Sequence, residues 1–568
     1  MNDLRSRAWL DADGKSGFVA RHHLRALGLG SDQLADKPIV GIVTTWSELT
    51  PCNAHLRQLA DAVRRGIVAA GGVALEAPVL SLGEPFMRPS SMMYRNLMAI
   101  DVEEIVSANP MDAAVLLTGC DKTTPAALMG AASADVPAIL LTGGPMLNGK
   151  FHGRDVGSGT DVWRMTEARR TGKVSDRDFT EFECSLNRSA GHCMTMGTAS
   201  TMAVLAEAMG MQLPGAAALP AVDSRRAVIA EETGRTAVRL AREDLRPSAL
   251  LTRASFENAI RVNAAIGGST NAVLHLLAMA GRARVPLTLD DFDVLGRDIP
   301  LLVDLMPSGR FLMEEFAYAG GVPALLDRLR HVLHDTPTVA GSTLLENTGD
   351  CWDDQVVREI ENPVLAAGSG TAVLRGSLAP RGAVIKVSAA SPALLSHEGP
   401  ALVFDSIEEY DAVKDDDELA VTPDTVLIVR GAGPRGYPGM PEIGNLPMPR
   451  RLLEAGVTDM VRVSDARMSG TAYGTCILHV APEAAIGGPL AVVQTGDRVR
   501  LDVAERRIDL LVPDEEIRAR LAEWRPTRSD AERGWARLYA THVTQADEGV
   551  DLDFLVGRSG PTPARSPF

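Results

Sequence analysis

Residues 111–144 read MDAAVLLTGCDKTTPAALMGAASADVPAILLTGG. Its two outer runs, MDAAVLLTG (111–119) and VPAILLTGG (136–144), are apolar without alternation and have the length of buried strands. Between them TPAALMGAASA reads as a helix, with Thr124 as its N-cap and Pro125 at its first position. Strand, helix and strand of this kind predict a parallel sheet covered by helices. Upstream, PIVGIVTTWS (38–47) predicts another buried strand, followed by a helix within NAHLRQLADAVRRGIVAAGG. Helices dominate from about 195 to about 335, among them TASTMAVLAEAMGM and NAVLHLLAMAGRA. Beyond about 360 the chain turns to short β-rich runs broken by Gly and Pro. These are TAVLRG, GAVIKVS, TVLIVRG, DMVRVSD, TCILHV, LAVVQTG and DRVRLDV, with a helical DEEIRARLAEW behind them. The expected fold class is α/β. Residues 1–355 form an N-terminal parallel-sheet α/β domain with helices on both faces, and residues 356–568 a C-terminal β-rich, barrel-like domain.

A chain of 568 residues exceeds one ordinary core, which agrees with that division. Its 45% hydrophobic and 23% charged content is that of a globular protein in water. The net charge of −16, with no basic stripe, excludes a nucleic-acid partner. The acidic run DDDE (415–418) reads as a solvated loop. MNDLRSRAWLDADGKSG at the start lacks the apolar core of a signal peptide, and no run reaches the roughly 18 apolar residues that span a bilayer. The expectation is a cytoplasmic protein without a membrane partner.

Six scattered cysteines do not make a secreted disulfide framework. Cys120 lies at the carboxyl end of a strand and before a helix, where ligands bind in open α/β sheets. The helix N-terminus there favours thiolate. Cys52, in WSELTPCN, and Cys193, in SAGHCMTMGTASTMAVL, repeat the setting. They are either three separate buried thiols or three ligands of one centre. Cys184 stays open as a competing ligand, Cys351 lies in an acidic loop, and Cys476 reads as strand core. The absence of C-x-x-C spacing disfavours structural zinc. Electron-transfer clusters are saturated by four ligands, so three thiolates would leave an iron open to substrate, as Lewis-acid chemistry requires.

GAGPRG (431–436) has dinucleotide-site spacing, but Pro438 and Pro441 forbid the helix that must follow. The segment reads instead as a rigid loop presenting Glu442. SDARMSGTAYGT (464–475) gathers Ser469, Thr471 and Tyr473. It is either a polar turn or a serine activated by a nearby cation, since no triad partner or G-x-S-x-G elbow accompanies it. His192 reads as a loop histidine making ordinary hydrogen bonds. Lys122 beside Asp121 is either an ion pair or, if buried among metal ligands, a modified or neutral amine.

PCNAHL, GCDKTTPA, TGGPMLNG, GHCMTMGTASTM, NAAIGGSTNAVLHL, GYPGMPEIGN and SDARMSGTAYGT together resemble the dihydroxy-acid and sugar-acid dehydratase family. The resemblance runs over nearly the whole chain, and its nearest branch is the pentonate dehydratases that act on L-arabinonate or D-xylonate. It implies an iron–sulfur cluster on Cys52, Cys120 and Cys193, [2Fe-2S] in the nearest branch and [4Fe-4S] in other relatives. It implies Mg²⁺ held by Glu84, Asp121, a carbamylated Lys122 and Glu442. It further implies Ser469 as the base, with Thr471 beside it, and a homodimer or homotetramer. The implied reaction turns a sugar acid into its 2-keto-3-deoxy acid. The alternatives are dehydration of 2,3-dihydroxyisovalerate in branched-chain amino-acid synthesis and a non-catalytic iron–sulfur sensor. A thiol-dependent hydrolase built on Cys120 lacks a histidine partner.

Overall fold

The computed structural model describes residues 4–526 and 531–561. Four parallel strands form the first sheet: β1 (Ile39–Thr44), β2 (Val73–Pro78), β3 (Ala113–Thr118) and β4 (Ala138–Thr142), in the order β2-β1-β3-β4. Every residue of β1, β3 and β4 is buried, so helices cover both faces, as unalternating sequences require. The helices Leu56–Ala69 and Ser224–Glu243 pack together against this sheet, and Ser91–Ala108 packs on Thr123–Ala134. The strand order reverses between β1 and β3. In open α/β sheets the crevice beyond such a reversal is where ligands sit.

A short hairpin, β5 (Gly149–Phe151) and β6 (Arg154–Val156), follows the first sheet. The second sheet comprises β7 (Thr371–Leu374), β8 (Gly382–Lys386), β9 (Ser396–Phe404), β10 (Val426–Val429), β11 (Arg462–Ser464), β12 (Cys476–Ala481), β13 (Arg498–Asp502) and β14 (Arg507–Leu510). Its order is β14-β13-β9-β10-β11-β12-β8-β7, with β9 to β12 parallel and the flanking strands antiparallel. A bridge between Arg375 and Arg507 brings the two edge strands together, so the sheet is a nearly closed barrel. The largest apolar core takes Val43, Leu117 and Leu141 from the first sheet and Met468, Cys476 and Leu478 from the second half.

The expected mixed α/β architecture, parallel first and barrel-like second, is the one found. Three local expectations need correction. The helix after β3 starts at Thr123, with Lys122 at the N-cap, so Thr124 is not the cap and Pro125 is its third residue. Pro is tolerated there because first-turn N–H groups have no intrahelical acceptor. LAVVQTG is no strand, because Pro489–Val492 winds into a 3-10 turn led by Pro489. Five strands, β2, β5, β6, β9 and β14, carry no strand run among those quoted.

Candidate active site

Two of the three cysteine loops leave neighbouring strands of the first sheet, and the third joins two helices. Cys52 is the middle residue of the turn Pro51–Asn53 after β1, and Cys120 follows β3. Gly119 makes their approach possible: a Cβ there would stand 2.5 Å from Asn53 Oδ1 and 2.6 Å from the Cys52 carbonyl. The Cys193 loop is stitched to the chain beyond β4, with Met146 N donating to His192 O (2.8 Å) and His192 N to Gly144 O (3.0 Å). The neighbouring Cys120 thiol, burial and the nearby Cys193 sulfur push the Cys52 thiol well above its usual range. Burial, with Asp121 nearby, pushes Cys193 up to about 12. Cys184 is exposed on the helix Asp176–Leu186, which removes it as a competitor, and Cys476 is buried in β12. His192 makes the ordinary bond expected of it, from Nδ1 to the Cys193 carbonyl (3.0 Å).

Next to the thiols, Glu84, Asp121 and Glu442 bring carboxylate oxygens within 4.8 Å of one another. Glu84 comes from the loop after β2, Asp121 from the Cys120 corner and Glu442 from the loop after β10. The fully buried Lys122 ammonium lies 3.3 Å from Glu84, 3.7 Å from Asp121 and 3.8 Å from Glu442. It makes no hydrogen bond among the described residues. Burial pushes Asp121 up against the pull of Lys122. Burial and the Glu84 charge push Glu442 up to about 7. Burial also acts on Glu84, but Arg467 and Lys122 outweigh it and hold that carboxyl well below its usual range. Three acids sharing one pocket do not all ionise easily without a further cation.

Ser469 and Thr471 sit on the loop between β11 and β12, their hydroxyls 2.9 Å apart. Gly470 lets this loop touch two helix starts: a Cβ there would stand 2.7 Å from Thr198 N and 2.8 Å from Ser269. Thus eight of the nine residues implied by the resemblance come from loops at strand ends, Cys193 comes from the loop between the helices Asp176–Leu186 and Thr198–Ala208, and these loops meet between the two sheets.

Two further residues were not anticipated. Arg467, fully buried, donates to Glu84 (2.8 Å), Ser90 Oγ (3.0 Å) and the Met440 carbonyl (2.6 Å), and also pairs with Glu442. Asn271 donates to Glu442 (3.0 Å), Thr198 (2.9 Å) and the Met468 carbonyl (3.2 Å). Both stood inside quoted motifs, SDARMSG and NAAIGGSTNAVLHL, and the motif wording was the signal available.

The family models for the dihydroxy-acid/6-phosphogluconate dehydratase N-terminal and C-terminal regions match residues 37–347 and 355–550. The chain belongs to this family. It is 53% identical over 562 residues to the L-arabinonate dehydratase of Rhizobium leguminosarum bv. trifolii (strain WSM2304), covering 98% of this chain and 97% of that one. It is 54% identical over 569 residues to the L-arabonate dehydratase of Azospirillum brasilense, covering 98% and 97%. It is 48% identical over 569 residues to the 6-deoxy-6-sulfo-D-gluconate dehydratase of Pseudomonas putida, covering 99% and 98%. As a member of this dehydratase family, the chain is a hydro-lyase. None of the described helices is long and apolar enough to cross a membrane.

Proposed function

We propose that this dehydratase converts a sugar acid, an aldonate such as L-arabinonate or D-xylonate, into its 2-keto-3-deoxy acid. The observation that carries the reading is the junction of three thiols, three carboxylates and a buried lysine with a serine loop. Cys52, Cys120 and Cys193 suit an iron–sulfur cluster, [2Fe-2S] by the resemblance to the pentonate branch, because three mutually crowded thiols need a cationic centre to be held as thiolates. Glu84, Asp121 and Glu442 suit Mg²⁺, and carbamylation of Lys122 would turn an unbonded ammonium into a fourth oxygen donor. When bound, the two groups supply Lewis acidity, iron toward the 3-hydroxyl and Mg²⁺ toward the carboxylate and 2-hydroxyl.

The chain's own residues do the rest. Ser469 Oγ, as an alkoxide that the bound cations would stabilise, takes the C2 proton, and Thr471 fixes that oxygen through their hydrogen bond. The electron pair left at C2 forms the C2–C3 double bond as the 3-hydroxyl departs, and the enol becomes the keto acid. Arg467 holds Glu84 and Glu442 in place from behind. The arabinonate-named relatives support a sugar acid over 2,3-dihydroxyisovalerate.

The test uses anaerobically purified enzyme offered L-arabinonate, D-xylonate, D-gluconate and 2,3-dihydroxyisovalerate, with keto-acid formation as readout. Turnover of a pentonate, lost in Ser469→Ala while iron and sulfide stay bound, is expected. Iron and sulfide should be near-equal and should fall away in Cys120→Ser. Preference for dihydroxyisovalerate overturns the substrate, and an active Ser469→Ala overturns the base.

A further inference from the structure

GAGPRG (431–436) follows β10 and has the look of a loop whose backbone N–H groups cradle an anion. Those groups are already engaged by acids of the chain itself. Gly431 N and Ala432 N donate to Asp465 (3.2 and 2.9 Å), and Arg435 N and Gly436 N donate to Glu483 (3.0 and 2.9 Å). Asp465 follows β11 and Glu483 follows β12, so the carboxyl ends of three neighbouring parallel strands meet here. Gly433 lets the second acid in: a Cβ there would stand 2.6 Å from Glu483 Oε2.

Both acids are fully buried. Burial pushes Asp465 up, and burial with Asp465 nearby pushes Glu483 up to about 7. An acid is costly to bury and is held there by the donors it accepts from. Glu483 is held from its far side as well. Gln545 Nε2 donates to its carboxylate (2.7 Å), and Glu483 N donates to Gln545 Oε1 (2.9 Å). From Gly436 the loop runs on to Glu442 through Pro438 and Pro441, whose rings fix φ. The turn between them is closed by Met440 N donating to the Tyr437 carbonyl (2.9 Å). A displacement at Gly436 therefore carries through to Glu442. Beyond that turn Arg467 takes over, donating to the Met440 carbonyl (2.6 Å) and accepting from Gly444 N (2.9 Å).

We propose that Glu483 is a positioning residue of the metal site: it fills the N–H nest of residues 431–436, fixes the loop that carries Glu442, and is itself fixed by Gln545. The inference rests on the reading of Glu442 as a Mg²⁺ ligand. Asn271 and Arg467 hold the Glu442 carboxylate itself, whereas Glu483 holds the backbone behind it. The motif that mimics a dinucleotide loop is thus an internal brace, its anion supplied by the chain. Residues that orient a ligand without touching the metal change the affinity for that metal.

Calorimetric titration of the iron–sulfur-loaded, Mg²⁺-depleted enzyme with MgCl₂ tests this. Glu483→Ala should weaken Mg²⁺ binding about tenfold, as loss of a residue that orients a ligand does. Iron and sulfide should stay unchanged, because the cysteines stand on other loops. Glu483→Gln, whose amide oxygen still accepts from Arg435 N and Gly436 N, should recover most of the loss. Gly433→Ala crowds Glu483 without removing it, should weaken binding too, and carries the test if Glu483→Ala does not fold. Glu442→Gln is the control for the metal reading. Binding weakened in Glu442→Gln but unchanged in Glu483→Ala and Gly433→Ala overturns the inference alone. Binding unchanged in Glu442→Gln overturns the ligand assignment and this inference with it. Loss of iron and sulfide together with Mg²⁺ in Glu483→Ala also overturns it, because the whole site would then have loosened.

Discussion

Lys386 ends β8 with its side chain buried and its ammonium without a hydrogen-bond partner among the described residues. Burial alone lowers its pKa from 10.5 to about 7. Between those values the unfolded chain binds a proton that the native chain does not, so stability rises with pH through that window and is flat with respect to this group below it. At about 1.4 kcal/mol per unit the whole span is worth on the order of 5 kcal/mol at most. Lys386→Met should therefore raise the melting temperature most below about pH 7 and flatten its rise toward pH 10, as thermal melts across that range will read. A variant that melts lower at every pH would mean that the ammonium has a partner. The same residue shows why some of the site was not legible. Nothing in GAVIKVS marks the lysine as buried, and nothing in SDARMSG marks Arg467 as the clamp of two acids. Its partners Glu442 and Glu84 lie 25 and 383 residues away, so only the folded chain joins them. Cys52 and Cys120 stand in strand-to-helix corners, whereas Cys193 stands between two helices, where only a Gly-flanked loop feeding a helix marked it in the sequence.

At the scale of elements, the sequence pattern told most where a whole run is buried. NAVLHLLAMAGRA became the helix Asn271–Ala283 without change of bounds, and the unalternating runs became β1, β3 and β4. β9 escaped because SHEGPALVF mixes His, Glu, Gly and Pro. It serves two partners in turn, β13 as far as Pro400 and β10 from Ala401, so no single pattern rules it. Helix-to-helix distance was likewise unreadable. Leu56–Ala69 and Ser224–Glu243 cross with Gly66 against the Glu231 carbonyl and Gly234 against the Val63 carbonyl, each too close for a Cβ. Gly234→Ala should force the pair apart and cost about 1–3 kcal/mol or more, despite alanine's better helix propensity. Gly66→Ala should cost the same, and the double variant less than the sum, because one displacement relieves both clashes. Urea midpoints decide it, and a stabilised Gly234→Ala would show that the crossing yields freely.

At the scale of the whole molecule, the two sheets are bound by more than the shared core. After the second sheet the chain returns across the first half, where Arg95 donates to the carbonyls of Gly549 (3.0 Å) and Val550 (2.8 Å). Arg282, fully buried, grips Asp551 through two bonds (2.6 and 3.0 Å) and reaches Glu103 (3.3 Å) and Ser133 (3.1 Å). An ion pair of this kind adds little over apolar packing, yet breaking one side strands a buried charge, at about 3–5 kcal/mol. Arg282→Met should therefore lose stability on that scale. Arg282→Met with Asp551→Leu should recover part of it, although it has fewer bonds, because fewer charges are left stranded. The closing segment is held by both halves, so denaturant should unfold each variant in one transition, with far-UV dichroism and tryptophan emission moving together. Two separated transitions would mean that the second sheet stands without the first, and that the strap joins halves already stable alone.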